Sequence, residues 1–142
     1  MSEDTIYRAD PGAEPFRFND AVACVFPDML KRSIPGYAAS IEAIGSLAAR
    51  YVPANTACYD LGCSLGAAAI AMRQGIREPG CRIVAVDAAP AMIERCREIV
   101  DTEVRQDADG CSIELVLGDI RETAITNASM VVLNYTLQFL PV

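Results

Sequence analysis

The chain has 142 residues, is 52% hydrophobic with a mean hydropathy of +0.23, and carries a net charge of −7 with a pI near 4.5. That length supports one domain burying roughly two-thirds of its unfolded surface, and the composition excludes wholesale disorder. The acidic balance excludes a whole-surface grip on nucleic acid, and the absence of histidine removes Ser-His and Cys-His nucleophile pairs from within this chain.

Residues 1–15, with Pro11, Gly12 and Pro15, read as a loosely attached arm. Asn19 or Asp20 caps a short helix over Ala21 to Phe26, and Pro27-Asp28 restarts a helical turn through Met29, Leu30 and Ile34 that Pro35-Gly36 breaks. From Tyr37 to Val52 the residues Tyr37, Ile41, Ile44, Leu47, Ala48 and Tyr51 recur at three and four, the spacing of one buried helical stripe. After a turn over 53–56, Ala57 to Leu61 reads as a first strand and Ala67 to about Gly75 as a helix. Arg82 to Val86 is an apolar run suited to a buried parallel strand, closed by Asp87.

Pro90 opens a helix whose inward face is Met92, Ile93, Cys96, Ile99 and Val100, followed by a solvated loop from Thr102 to Gly110. Ile113 to Leu117 is a third strand ending at Gly118-Asp119, and Ser129 to Leu133 a fourth ending at Asn134. The alternation predicts an α/β fold, a parallel sheet with helices on both faces. It reads as a single domain over 1–142, with an N-terminal arm and lid helices over 1–52 and a core over 53–142.

No apolar run approaches the roughly 18 residues of a membrane span. Met1-Ser2-Glu3-Asp4 lacks the basic and apolar regions of a secretory signal, so a cytoplasmic protein without membrane contact is expected. The six cysteines, Cys24, Cys58, Cys63, Cys81, Cys96 and Cys111, form no C-x-x-C pair. They read as small core residues in a reducing compartment, and no metal site is expected. Asn127-Ala128-Ser129 matches a glycosylation sequon but leads into a buried strand, a coincidence of spelling.

The organising stretch is Tyr59-Asp60-Leu61-Gly62-Cys63-Ser64-Leu65-Gly66, a strand end running through a glycine turn into a helix whose positive end faces the turn. It departs from the G-x-G-x-x-G of dinucleotide folds and fits S-adenosylmethionine (SAM) better than NAD. In such sheets ligands bind outside the carboxyl ends of the strands, where Asp60 to Ser64, Asp87, Asp119 and Asn134 all lie. Asp87 follows Gly66 at close to the roughly 20-residue spacing at which an acid accepts both ribose hydroxyls. Asp119 is placed to accept from an adenine amino group while Ile120 packs on the ring or fills core, and Asn134 to bind an amino-acid end or to cap a loop. The Gly62-Cys63-Ser64 backbone would cradle the methionine moiety. With no base beside it, Cys63 is not read as a nucleophile.

The order Asp60-x-Gly62, Asp87, Gly118-Asp119 resembles class I SAM-dependent methyltransferases, which implies a Rossmann-like fold. Val25 to Met29, Arg32 to Tyr37, Tyr59 to Gly66, Ala91 to Arg97 and Asn127 to Asn134 resemble the bacterial carboxy-S-adenosyl-L-methionine synthase family. That resemblance implies transfer of a carboxyl group from prephenate to the SAM methyl, for modification of the tRNA wobble uridine by a partner enzyme. It also implies cofactor contacts from Tyr37, Asp60, Gly62, Cys63, Ser64, Asp87, Ala88, Asp119, Ile120 and Asn134. At Ala88 the family tends to carry Asn, which implies one polar contact fewer near the adenosine. Family members continue for three more strands with an arginine for the transferred carboxylate, so the C-terminal strands are expected to be missing here and the fourth strand, Met130 to Leu133, to form an exposed apolar edge. A homodimer and no direct contact with nucleic acid are expected. The alternatives are an ordinary SAM methyltransferase and a SAM-binding module without catalysis.

Overall fold

The structure, a computed structural model, describes residues 18–141. The arm expected over 1–15 lies outside them. Four strands, β1 (Ala57–Leu61), β2 (Arg82–Asp87), β3 (Ser112–Leu117) and β4 (Ala128–Val132), pair in parallel in the order β3-β2-β1-β4. The two inner strands are apolar on both faces, as parallel strands must be when neither face meets water. β4 lies at the edge, and Val131 and Leu133 are each 41% exposed. Its register against β1 slips between Ala57 and Cys58, and there Thr56 Oγ1 donates to Ser129 Oγ at 2.9 Å.

The helices are α1 (Asp20–Ser33), α2 (Tyr37–Tyr51), α3 (Ala67–Gly75) and α4 (Pro90–Gln106). Alternation along the strands sends Cys58, Ile83 and Ala85 to one face, where they pack with Ile44 and Ala48 of α2, Ala69 and Met72 of α3, and Ile93, Cys96 and Val100 of α4. Tyr59, Leu61, Val84 and Val86 point to the other. Helices were expected on both faces. Among the described residues the α-helices of the core cover only the first, and the second is crossed by 118–127 with a single 3-10 turn, Ile120–Glu122. That crossover is shorter than the roughly dozen residues a helical connection takes. It is pinned where Tyr59 Oη donates to Thr126 O at 3.2 Å and accepts from Thr126 N at 3.1 Å.

Three further expectations are corrected. Pro27 does not divide two helices but lies inside α1, which Asn19 caps by accepting from Val22 N at 3.0 Å. An internal proline costs about 3 kcal/mol or more. The stripe of Val22, Phe26, Met29 and Leu30, continuous across Pro27 and packed on Leu65 and Met92, offsets that cost. In α2 the buried arc is Ile44 and Ala48, whereas Leu47 and Tyr51 are 48% and 61% exposed. The helix meets α3 backbone to backbone, a Cβ on Gly75 falling 2.1 Å from Gly45 O, which rotates Leu47 and Tyr51 outward. Finally, Thr102 to Gln106 extend α4 rather than forming a loop. Gln74 Nε2 donates to Glu103 Oε1 at 2.8 Å, and buried Arg73 donates to Asp107 O and, at 2.9 Å, to Cys111 O, so α3 holds this last turn.

Candidate functional site

One cavity of about 1060 Å³ opens at the carboxyl ends of the strands. All ten residues expected at the site line it: Tyr37, Asp60, Gly62, Cys63, Ser64, Asp87, Ala88, Asp119, Ile120 and Asn134. The strand ends form one wall. Phe26, Met29 and Leu30 of α1 and its C-cap residue Ile34, with Phe139 and Leu140, form an apolar wall. Phe18 bridges it edge-on, with ring centroids 5.8 Å from Phe26 and 5.1 Å from Phe139.

The turn after β1 is held by β2. Gly62 N and Cys63 N donate to Val86 O at 2.8 and 2.9 Å, and Ser64 N donates to Asp87 Oδ2 at 2.9 Å. Asp87 Oδ1 accepts from Ala89 N at 2.9 Å. The carboxylate is thereby locked to the glycine turn on one side and to the entry of α4 on the other. An ionised carboxylate has about four acceptor sites, so each oxygen keeps capacity for a hydroxyl donor. Ala88, between these anchors, presents only a methyl group to the cavity.

The glycines serve the protein before any ligand. Gly62 has φ +82°, and a Cβ there would lie 2.4 Å from Thr136 Cγ2 and 2.5 Å from its Oγ1. Gly66 has φ +89°, and its Cβ would lie 2.8 Å from Cys96 Sγ. The space a Cβ would need at these two positions is taken by Thr136 and by Cys96 of α4. Thr136 is buried and its hydroxyl donates to Leu61 O at 2.9 Å, tying the end of β4 to the end of β1. Sequence reasoning missed it because a threonine two places past Asn134 carries no pattern of its own.

The cavity is acidic. Asp60, 1% exposed, accepts from Ala69 N in the first turn of α3 at 3.1 Å. Burial pushes its carboxyl up to about 7 against the pull of that N–H, and the charge of Asp87 adds to the rise. The Tyr37 hydroxyl is raised by burial and then by Asp60 and Tyr135, whose ring centroid lies 6.2 Å from that of Tyr37. Cys63 brings only backbone chemistry: its hydrogen bond with Cys96, then burial, pushes the thiol far up, which suits an inert core residue. Asn134 lines the cavity beside Tyr135, whose φ is +55°.

Asp119 departs most from expectation. Its Oδ1 accepts from Arg121 N and Nε at 2.8 and 3.0 Å, and its Oδ2 from Arg121 Nε and Nη2 at 3.1 and 2.5 Å. The side-chain pairing, then the backbone N–H, holds the carboxyl down at about 2. The acceptor capacity expected to meet an adenine amino group is committed to Arg121. Ile120 lines the cavity and also packs with Tyr59, Leu61 and Val86.

Chemically the site binds and orients: it offers fixed acceptors on one side, apolar surface on the other, and one carboxyl, Asp60, whose proton occupancy changes near neutrality. A β3-β2-β1-β4 parallel sheet with its cavity at the strand ends is a Rossmann-like class I methyltransferase fold. A crystal structure from Methanococcus maripaludis, provisionally described as an S-adenosyl-L-methionine-dependent methyltransferase, superposes with a TM-score of 0.64 at 21% identity, covering 91% of this chain and 56% of that one. The chain belongs to the methyltransferase domain family, whose model matches residues 58–142.

Among curated proteins it is 50% identical over 138 residues to the carboxy-S-adenosyl-L-methionine synthase of Klebsiella pneumoniae (strain 342), covering 96% of this chain and 54% of the relative. It is 57% identical over 123 residues to the enzyme of the same name from Salmonella newport (strain SL254), covering 87% of this chain and 48% of the relative. The chain spans about half the length of these relatives.

Proposed function

We propose that this chain is the SAM-binding portion of a carboxy-SAM synthase, which moves a carboxyl group from prephenate to the SAM methyl, yielding carboxy-SAM and phenylpyruvate, with the ring hydroxyl of prephenate and a methyl proton leaving as water. The observation that carries the reading is the convergence of all ten expected residues on one cavity, with Asp87 held by two backbone N–H groups and free acceptor capacity on both oxygens. The donor set fits the cofactor. Asp87 would accept from the ribose diol, the Gly62 to Ser64 backbone would line the methionine moiety, and Ile120 would meet the adenine ring. Asp119 meets the base only if Arg121 shares its carboxylate. SAM, when bound, would supply a methyl carbon whose protons the sulfonium acidifies, the carbon that takes the carboxyl group, while the residues of this chain position it and exclude water.

A carboxyl transfer of this kind draws its driving force from its substrates, which accords with a cavity lacking histidine. The product would serve a partner enzyme at the tRNA wobble uridine, with no nucleic acid bound by this chain. The working form in this reading is a cytoplasmic homodimer. The test is incubation with SAM and prephenate, followed by mass spectrometry for a SAM product heavier by one carboxyl group. S-adenosylhomocysteine appearing only with a methyl acceptor would make the chain an ordinary methyltransferase. SAM bound and returned unchanged would make it a binding module.

A further inference from the structure

The geometry points to the α1 wall of the cavity as the site of the second substrate, an anionic ring-bearing carboxylate, with Lys31 as the specificity-determining residue that reads its charge. This rests on the cofactor reading above. Three observations lead there. First, the cavity, at about 1060 Å³, exceeds the roughly 300–1,000 Å³ of a site for one small molecule, so a cofactor on the strand ends leaves the opposite wall uncovered.

Second, the two walls differ in chemistry. The strand ends supply Asp60, Asp87, Asn134 and backbone groups, whereas α1 and its C-cap supply Phe26, Met29, Leu30 and Ile34, a surface for the face of a ring. Third, a carboxylate entering a cavity that holds Asp60, Asp87 and Asp119, in a chain of net charge −7, meets repulsion unless a cation stands on its path. Two cations line the cavity, Lys31 and Arg121. Arg121 is committed to Asp119, and the neighbouring Arg32 pairs with Asp28 at 3.3 Å. Lys31 has no carboxylate partner among the described residues, and it stands on the last turn of α1 at the end of the apolar stripe. An ammonium on a flexible stem suits a charge that arrives and departs.

The experiment is calorimetric titration of prephenate into the chain loaded with S-adenosylhomocysteine, for the wild type, Lys31→Gln and Lys31→Arg. Lys31→Gln is expected to weaken prephenate on the order of tenfold, the effect of losing one charged hydrogen-bond partner. Lys31→Arg is expected to retain most of the affinity, the wild-type affinity to fall with salt, and S-adenosylhomocysteine to bind all three equally. Unchanged prephenate affinity in Lys31→Gln overturns the proposal, as does a loaded wild type that takes no prephenate. Equal weakening of S-adenosylhomocysteine also overturns it, by assigning Lys31 to the carboxylate of the cofactor. If S-adenosylhomocysteine fails to bind the wild type, the cofactor reading fails first and this proposal falls with it.

Discussion

Replacing Asp60 with asparagine separates the charge of this carboxyl from its hydrogen bond, because an amide oxygen can still accept from Ala69 N. The folded carboxyl keeps its proton to about 7 against an ordinary 3.8. Between those values the folded state binds more protons than the unfolded one. The contribution of Asp60 to stability is therefore intact below 3.8 and is lost as pH rises toward 7. Each pH unit in that window costs about 1.4 kcal/mol, so the penalty grows by about 2 to 3 kcal/mol between about pH 5 and about pH 8. Asp60→Asn removes it. Urea unfolding of both proteins at the two pH values should show the variant gaining that much on the wild type as pH rises. A difference that stays constant with pH would refute the burial argument.

Four other outcomes follow from the same geometry. Gly62→Ala should cost at least about 2 kcal/mol in urea unfolding, from a left-handed φ and a clash with Thr136. Thr136→Ala in that background should recover part of it, and strictly additive effects would deny the contact. Asp87→Ala should lose roughly 1 to 3 kcal/mol in a SAM titration, and unchanged affinity would remove Asp87 from the ligand. A thiol reagent should label exposed Cys24 first and buried Cys58, Cys63, Cys81 and Cys96 only on unfolding; fast native labelling of Cys63 would contradict its core placement. The exposed β4 edge should pair copies of the chain, so light scattering should report a dimer for the wild type and a monomer for Val131→Lys. A monodisperse wild-type monomer would refute it.

Much of the scaffold was legible because its signals are local. Ala57 to Leu61 and Arg82 to Val86 read as strands, the second an apolar run closed by Asp87, and Pro90 marked a helix start where its missing N–H has no cost. The cavity wall was legible for a related reason. A parallel sheet gathers its strand ends on one side, so Asp60, Asp87, Asp119 and Asn134 had to meet once the strands were assigned. At Pro27 local propensity favours a break, and a stripe of four packed side chains outweighs it.

The sequence by itself determined which strand-end residues face the cavity, since strand period and strand end are properties of neighbouring residues. What each of them does was decided by tertiary structure. Gly62 accommodates Thr136, 74 positions later in the chain. Asp119 belongs to Arg121, Cys63 turns to Cys96, and Asp60 is raised because the folded chain takes water away from it. Desolvation and close contact exist only between segments brought together by folding, so no window along the chain records them.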